Sequence, residues 1–300
     1  MFLPFMKRRR CLGVDLEPAT VKAAVYRSRE LITATVPVPP GGQHEPQALV
    51  AALSEAASRS GWRGRKAVTT ITGERVVVRY LRLPRMTAAE LRAGMTYELE
   101  NYLPTGAQDM VVDWTILGDS SGPENNQMDV LLAAAPRDQV TQLIDLFRGA
   151  GLELAAVDLA PLALCRSLAG EITAATIILD IGEQWSHLVL ARPGRPLFSR
   201  ILAFSYKELT RSGITGSTPL ADLTQEIRRS LDFYRSQGGA GFNPECLLLT
   251  GEGTAIAGLT DFCQGELGVP ALIGRPGLPG RPVEPALAIA AGLALREIGI

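Results

Sequence analysis

The spacing of apolar residues divides the start of the chain into a strand hairpin, a third strand, a helix and a further strand. Two apolar runs joined by a break that contains Pro18 predict the hairpin. Apolar positions three to four residues apart predict the helix. The predicted elements are strands at Cys11–Asp15, Thr20–Tyr26, Leu31–Val38 and Lys66–Ile71, with the helix at Pro46–Ser60.

The next segment mixes strands with amphipathic helices. Thr87-Ala-Ala-Glu90 has the capping-box sequence, in which the two side chains satisfy each other's backbone N–H groups at a helix start. Apolar positions continue on one face of this helix to Leu103, and Pro104 ends it. The other predicted elements are strands at Arg75–Leu83, Val111–Leu117, Met128–Ala135 and Leu152–Val157, and helices at Pro136–Arg148 and Pro161–Leu168.

The second half of the chain begins with a sequence pattern that also begins the first half. Gly13-Val-Asp15 leads through a turn into a strand, and Leu179-Asp180-Ile-Gly182 does the same. Such a repeat at the head of each half predicts duplicated α/β lobes that face a cleft. The elements predicted after it are strands at Trp185–Leu190, Leu197–Ala203, Glu245–Thr250 and Val269–Ile273, and helices at Leu220–Gln237, Ile256–Leu267 and Pro285–Ile298, the last apolar nearly all round.

Composition excludes several classes of function. The 300 residues carry 30 Lys and Arg against 31 Asp and Glu, a net charge of −1 that gives no electrostatic case for nucleic acid. The chain has no apolar run long enough for a spanning helix. Two histidines are too few for a histidine-built metal site and argue against a Ser-His-Asp triad. The four cysteines lack metal-site spacing and indicate buried reduced thiols in a cytosolic protein.

Three positions carry candidate chemistry. Asp15 and Asp180 each end a buried strand before a tight turn, a common arrangement for holding Mg²⁺-bound water and phosphate. An aspartate there can equally accept hydrogen bonds from its own turn backbone. Thr250-Gly-Glu-Gly253 follows another buried strand, where small residues let a flat ligand approach the backbone or form an ordinary strand-to-helix turn.

The three positions, in this order, resemble the actin, sugar-kinase and chaperone ATPase superfamily. Further motifs are similar to the PilM family of type IV pilus assembly proteins, relatives of the division protein FtsA, and the similarity covers nearly the whole chain, from about Leu12 to Arg296. They are Tyr80-Leu-Arg-Leu-Pro84, Tyr97-Glu-Leu-Glu-Asn-Tyr-Leu-Pro104, Val112-Asp-Trp114, Ala134-Ala-Pro-Arg137, Gly151-Leu-Glu-Leu154 and Val157-Asp158-Leu159.

The resemblance implies an α/β, actin-like two-lobed fold of duplicated ribonuclease-H-like lobes with a small inserted α+β subdomain of the FtsA/PilM 1C type. Its domains would be 1–74 for the first part of the first lobe (1A), 75–155 for the insert (1C) and 156–174 for the second part of that lobe. Residues 175–284 would form the second lobe (2A/2B), and 285–300 a buried C-terminal helix that closes the core.

The resemblance also implies where a nucleotide would bind. Its ligands, if one binds, are Asp15, Lys22, Asp180, Gly182, Gly251 and Gly253; no catalytic residue and no metal ligand follows from the resemblance. The cofactor expectation is therefore none, or ATP with Mg²⁺.

The chain departs from the family at these loops. The usual Asp-Ile-Gly-Ser of the first hairpin is Asp15-Leu16-Glu17-Pro18, so a glycine becomes an acid and proline removes the next N–H. Glu183 and Glu252 add acids at the second hairpin and the Gly-rich loop, and Phe204-Ser205-Tyr206 replaces a usual Gly pair. We expect weak or absent ATP binding and weak or absent ATPase activity; the alternatives are an active ATPase, a sugar kinase or an FtsA-like filament former.

The implied role is that of a cytoplasmic scaffold of the type IV pilus, or of a related secretion or competence apparatus. Its partners would be the N-terminal tail of a PilN-like bitopic inner-membrane protein and other pilus assembly components, with no nucleic acid and only peripheral membrane contact. The tail would lie in a groove that involves the insert and its neighbour. Tyr97 and Tyr102 would line it, or else belong to the core under the Thr87–Leu103 helix.

Overall fold

The computed structural model describes residues 10–102, 108–119, 126–212, 218–239 and 241–296. Its elements in the first half of the chain are β1 (Leu12–Leu16), β2 (Thr20–Arg27), β3 (Glu30–Pro37), α1 (Pro46–Arg59), β4 (Lys66–Thr70), β5 (Val77–Pro84), α2 (Ala88–Tyr102), β6 (Met110–Asp119), β7 (Gln127–Pro136) and α3 (Arg137–Gly149). The second half contains β8 (Glu153–Asp158), α4 (Ala160–Ser167), β9 (Thr176–Ile181), β10 (Ser186–Arg192), β11 (Arg195–Leu202), α5 (Tyr206–Ser212), α6 (Thr218–Tyr234), β12 (Cys246–Gly251), α7 (Leu259–Leu267), β13 (Ala271–Ile273), β14 (Gly277–Leu278), β15 (Arg281–Pro282) and α8 (Ala288–Ala294).

Two five-stranded sheets share one topology. The first has the order β3-β2-β1-β4-β8 and the second β11-β10-β9-β12-β13. In each sheet the first hairpin is antiparallel and the strands on its other side are parallel. The repeat predicted from Asp15 and Asp180 is therefore present as two matching α/β lobes, and both lobes belong to one compact unit formed by residues 1–70 and 146–300.

The core of the first lobe follows from the alternation along its central hairpin. Leu12 and Val14 on β1 are fully buried on the face that packs with Leu53 of α1 and Phe147 of α3. Gly13 points to the other face, where an added Cβ would collide with the backbone of α8. All seven residues of α8 are buried, so the apolar C-terminal helix is sandwiched as its sequence predicts.

The helices near the C-terminus are shorter than predicted. The helix expected at Pro285–Ile298 begins as a 3₁₀ turn at Pro285–Leu287, and its α-helical part ends at Ala294. The helix expected from Ile256 begins at Leu259, because Glu252–Ala255 forms a 3₁₀ turn and Gly258 has a left-handed conformation. No helix in the described ranges is both long and apolar enough to cross a lipid bilayer.

Residues 71–145 form a second compact unit. Its sheet has the order β5-β7-β6, with both pairs antiparallel. Leu91 and Met95 of α2 pack on the central strand β7. The predicted capping box is confirmed, since Thr87 N donates to Glu90 Oε2 at 2.7 Å and Glu90 N to Thr87 Oγ1 at 3.2 Å. The side chains of Tyr97 and Tyr102 lie outside the described residues, so their role stays a prediction.

Candidate functional site

The first turn, residues 17–19, has its backbone N–H groups already occupied. Glu17 N donates to Thr20 O at 2.9 Å, which closes the turn. Pro18 has no N–H to offer. Ala19 N donates to Glu183 Oε2 at 2.6 Å, and Glu183 belongs to the other lobe. Each N–H of this turn is therefore absent or engaged by the chain itself.

The second turn, residues 182–185, supplies the carboxylate that reaches across. Besides the bond to Ala19, Glu183 Oε1 accepts from Thr20 Oγ1 at 2.8 Å. The turn itself is closed by Gly182 N, which donates to Trp185 O at 3.0 Å. A Cβ on Gly182 would lie 2.6 Å from Glu17 Oε1, so a glycine at this position lets the Glu17 side chain lie against the backbone. The two turns are in direct contact through these glutamates.

Lys22 is the cation of this region. Antiparallel pairing of β1 with β2 puts it opposite Asp15, and its Nζ lies 3.8 Å from Asp15 Oδ2. Its second partner is Glu252 Oε1, from the loop after β12 in the other lobe. The Lys22 side chain is only 3% exposed, so a buried charge depends on two carboxylates. We call Asp15, Glu17, Glu183 and Glu252 the carboxylate cluster around Lys22.

Burial and neighbouring charges shift the pKa values of Asp15, Glu17 and Lys22. Burial, opposed by Lys22, raises the pKa of Asp15 to about 6. Burial and the neighbouring Asp15 charge raise the pKa of Glu17 to about 9. Burial alone would lower the pKa of Lys22, but the charges of Asp15, Glu252 and Glu17 raise it above its ordinary value. At neutral pH Lys22 is therefore charged and Glu17 carries a proton.

Asp180 occupies the matching position in the second lobe. Parallel pairing of β9 with β12 aligns it with Thr250, whose Oγ1 donates to Asp180 Oδ1 at 2.7 Å. Burial raises the pKa of Asp180 to about 7, although the Thr250 bond lowers it. On the other side β10 aligns Asp180 with His187, and burial lowers the pKa of His187 to about 4, so this imidazole is neutral near pH 7.

The glycines of the third loop are explained by packing. Gly251 has a φ of +78°, and an added Cβ there would meet the Ile181 backbone. A Cβ on Gly253 would meet the Ile181 side chain. Both glycines therefore let the loop after β12 pack directly on the end of β9.

The structure brings together most residues predicted for the site. Asp15, Lys22 and Gly182 lie in or beside the carboxylate cluster, and Gly251 and Gly253 flank Glu252. Asp180 is among the charged groups that act on this region. Sequence reasoning missed Ala19 and Thr20, since nothing local indicates a bond spanning 164 residues. It singled out Thr250 with its loop but not the Thr250 bond to Asp180, which alignment of the predicted strands would have indicated.

The comparisons with known proteins decide the family. A family model described as type IV pilus assembly protein PilM matches residues 19–215, more than half of the chain. The chain belongs to the PilM family. The family resemblance predicted from the motifs is thereby confirmed.

Solved structures agree in fold. A chain of a PilM-PilN type IV pilus biogenesis complex is 29% identical, with a TM-score of 0.82, and the match covers 97% of this chain and 99% of that one. A Bacteroides thetaiotaomicron protein with an actin-like ATPase fold is 13% identical, with a TM-score of 0.50 over 98% and 99%. MreB5 of Spiroplasma citri bound to ADP is 11% identical, with a TM-score of 0.51 over 95% and 94%. The actin-like two-lobed fold is confirmed.

Proposed function

We propose that this PilM-family protein is a cytoplasmic scaffold of the type IV pilus, or of a related secretion or competence apparatus, and that it binds the N-terminal tail of a PilN-like inner-membrane protein. The observation that carries the proposal is the structural match to one chain of the PilM-PilN complex, which covers nearly the full length of this chain and of that one.

The first test is direct binding of the tail. A synthetic peptide of the cytoplasmic N-terminal segment of the PilN-like protein from the same organism should bind with a Kd on the order of 1–100 μM, since an extended tail loses conformational entropy on docking. Isothermal titration calorimetry measures the affinity, with a scrambled peptide as the control. Equal binding of both peptides, or of neither, would contradict the proposed partner.

We further propose that the protein works without nucleotide, because the residues present do not fit a triphosphate. Glu183 takes the Ala19 N–H and the Thr20 hydroxyl, and Pro18 has no N–H. Lys22, which would pair with an anion, already has Asp15 and Glu252 as partners. Each ionised carboxylate about 4 Å from a phosphate would add a repulsion on the order of 1–4 kcal/mol.

The second test separates this proposal from the alternative, an active ATP-binding protein. A ligand that binds only the folded state raises stability by RT ln(1 + [L]/Kd). We expect Mg-ATP at about 1 mM to change the Tm by less than about 1 °C, because binding is weak or absent. Differential scanning fluorimetry measures the shift, with magnesium and inorganic phosphate at equal ionic strength as the control. A rise in Tm that saturates with Mg-ATP alone would establish the alternative.

A further inference from the structure

We propose that Glu183 is a latch: its carboxylate holds the turns of the two lobes together across the cleft and takes the place of a bound ligand as the connection between them. The latch is the Glu183 carboxylate of the second turn together with its two donors, Ala19 N of the first turn and Thr20 Oγ1 at the start of β2.

Both oxygens of the Glu183 carboxylate accept a hydrogen bond from the first lobe. Oε2 accepts from the backbone and Oε1 from the hydroxyl, at 2.6 and 2.8 Å. Hydrogen bonds to an ionised acceptor are about twice as strong as neutral ones. The first turn and the start of β2 present an N–H and a hydroxyl to an anion, and the anion is a side chain of the same protein.

Two other glutamates contact the opposite lobe in the same region. Glu252 of the second lobe pairs with Lys22 of the first, and the Glu17 carboxylate of the first lobe lies against Gly182 of the second. Each lobe therefore contributes a glutamate that contacts the other lobe. Glu183 is the member that engages two donors of the opposite lobe, one of them backbone, so it fixes the position of the turn itself.

The consequence concerns conformational equilibrium. A two-lobed protein that closes around a ligand shifts between open and closed states according to the ligand's differential affinity. Here the closing interaction is intramolecular, so its strength does not depend on a ligand concentration. The protein would offer its partners one preorganised arrangement of its lobes.

This inference deepens the proposed nucleotide independence and rests on it, since a triphosphate at the first turn would have to displace Glu183. Failure of the proposed nucleotide independence and failure of the latch are seen in different measurements. Nucleotide binding is read from the melting shift with Mg-ATP, whereas the latch is read from amide exchange in protein without nucleotide.

The test is hydrogen exchange of the Ala19 amide in three variants. Glu183→Ala removes both acceptors, Glu183→Gln keeps one carbonyl acceptor without the charge, and Thr20→Val removes the hydroxyl donor. We expect exchange at Ala19 to become at least about 10-fold faster in Glu183→Ala, equivalent to about 1.4 kcal/mol. Glu183→Gln and Thr20→Val should give smaller accelerations, and they keep the test decisive if Glu183→Ala fails to fold.

The matched control is Glu226→Ala. Glu226 on α6 also pairs through both carboxylate oxygens, with Arg200 and Arg229, but all three residues lie in the second lobe. This variant should leave Ala19 exchange at the wild-type rate. Unchanged exchange at Ala19 in the Glu183 variants, or an equal acceleration in Glu226→Ala, would overturn the latch.

Discussion

Replacing Lys22 with methionine is expected to lower the free energy of unfolding by about 3–5 kcal/mol near pH 8. Removing one partner of a buried ion pair costs this much because the remaining charge is left without compensation. In this protein the remaining groups are Asp15 and Glu252, with Glu17 nearby. Methionine keeps the length and apolar stem of lysine, so the loss reports on the charge rather than on a cavity.

The loss should shrink in acid. Without Lys22, the pKa values of the neighbouring carboxyl groups rise further, because this cation lowers those of Asp15 and Glu17. A carboxyl group with a raised pKa in the folded state is fully compatible with folding below its unfolded pKa, and the stability is lost as pH rises through the folded pKa. The variant should therefore be closest to wild type near pH 5, below the raised pKa values of Asp15 and Glu17, where both of these carboxyl groups hold protons.

Urea unfolding of both proteins near pH 5 and pH 8 measures the two differences. Lys66→Met on β4 serves as the control, since Lys66 lies in the same sheet and is only partly buried. That variant should lose less than about 1 kcal/mol at either pH. A Lys22→Met loss of similar size at both pH values would mean that the lysine stabilises the protein by packing and not by charge.

The helix start at Thr87 and the two lobes could be predicted because short-range sequence patterns determine them. The capping box at Thr87 and the duplicated strand-turn-strand segments at Asp15 and Asp180 are short-range patterns, and the structure contains both. The helix α5 was not predicted, although Ser205 and Glu208 form a second capping box, with Ser205 N donating to Glu208 Oε2 at 3.0 Å.

The site could be predicted only in part, because its decisive contacts are long-range. The sequence placed acids at 17, 183 and 252 and indicated that they would face a polyphosphate. It could not indicate that Glu183 accepts hydrogen bonds from Ala19 and Thr20, or that Glu252 pairs with Lys22. The same carboxylates can repel a polyphosphate ligand or accept hydrogen bonds and ion pairs from the opposite lobe. Which of these happens depends on the folded arrangement, and local sequence does not indicate it.

The wild-type protein is expected to lose stability as pH rises from about 5 to 9. The pKa values of Asp15, Asp180 and Glu17 are raised to about 6, about 7 and about 9. Between the ordinary carboxyl pKa and each raised value, the folded protein holds a proton that the unfolded chain has released. Each such proton lowers the free energy of unfolding by up to about 1.4 kcal/mol per pH unit.

Glu17→Gln isolates the alkaline part of this dependence. Between pH 7 and 9 Glu17 accounts for most of the loss, about 2 kcal/mol, because Asp15 has largely released its proton by pH 7 and Asp180, with a pKa of about 7, adds less than about 0.5 kcal/mol. Glutamine resembles the protonated acid in shape and cannot ionise, so the variant should be nearly flat in this range and more stable than wild type near pH 9. Chemical unfolding across the range measures both curves.

Two comparisons make the result specific to the cluster. Burial raises the pKa of Cys165 and Cys263 to about 12, so both thiols also favour the folded state less as pH rises, but equally in wild type and variant. Glu55→Gln on α1 changes an exposed ion pair with Arg59 and should keep the wild-type slope. If Glu17→Gln has that slope too, Glu17 is already ionised at neutral pH and its pKa is not raised by its burial.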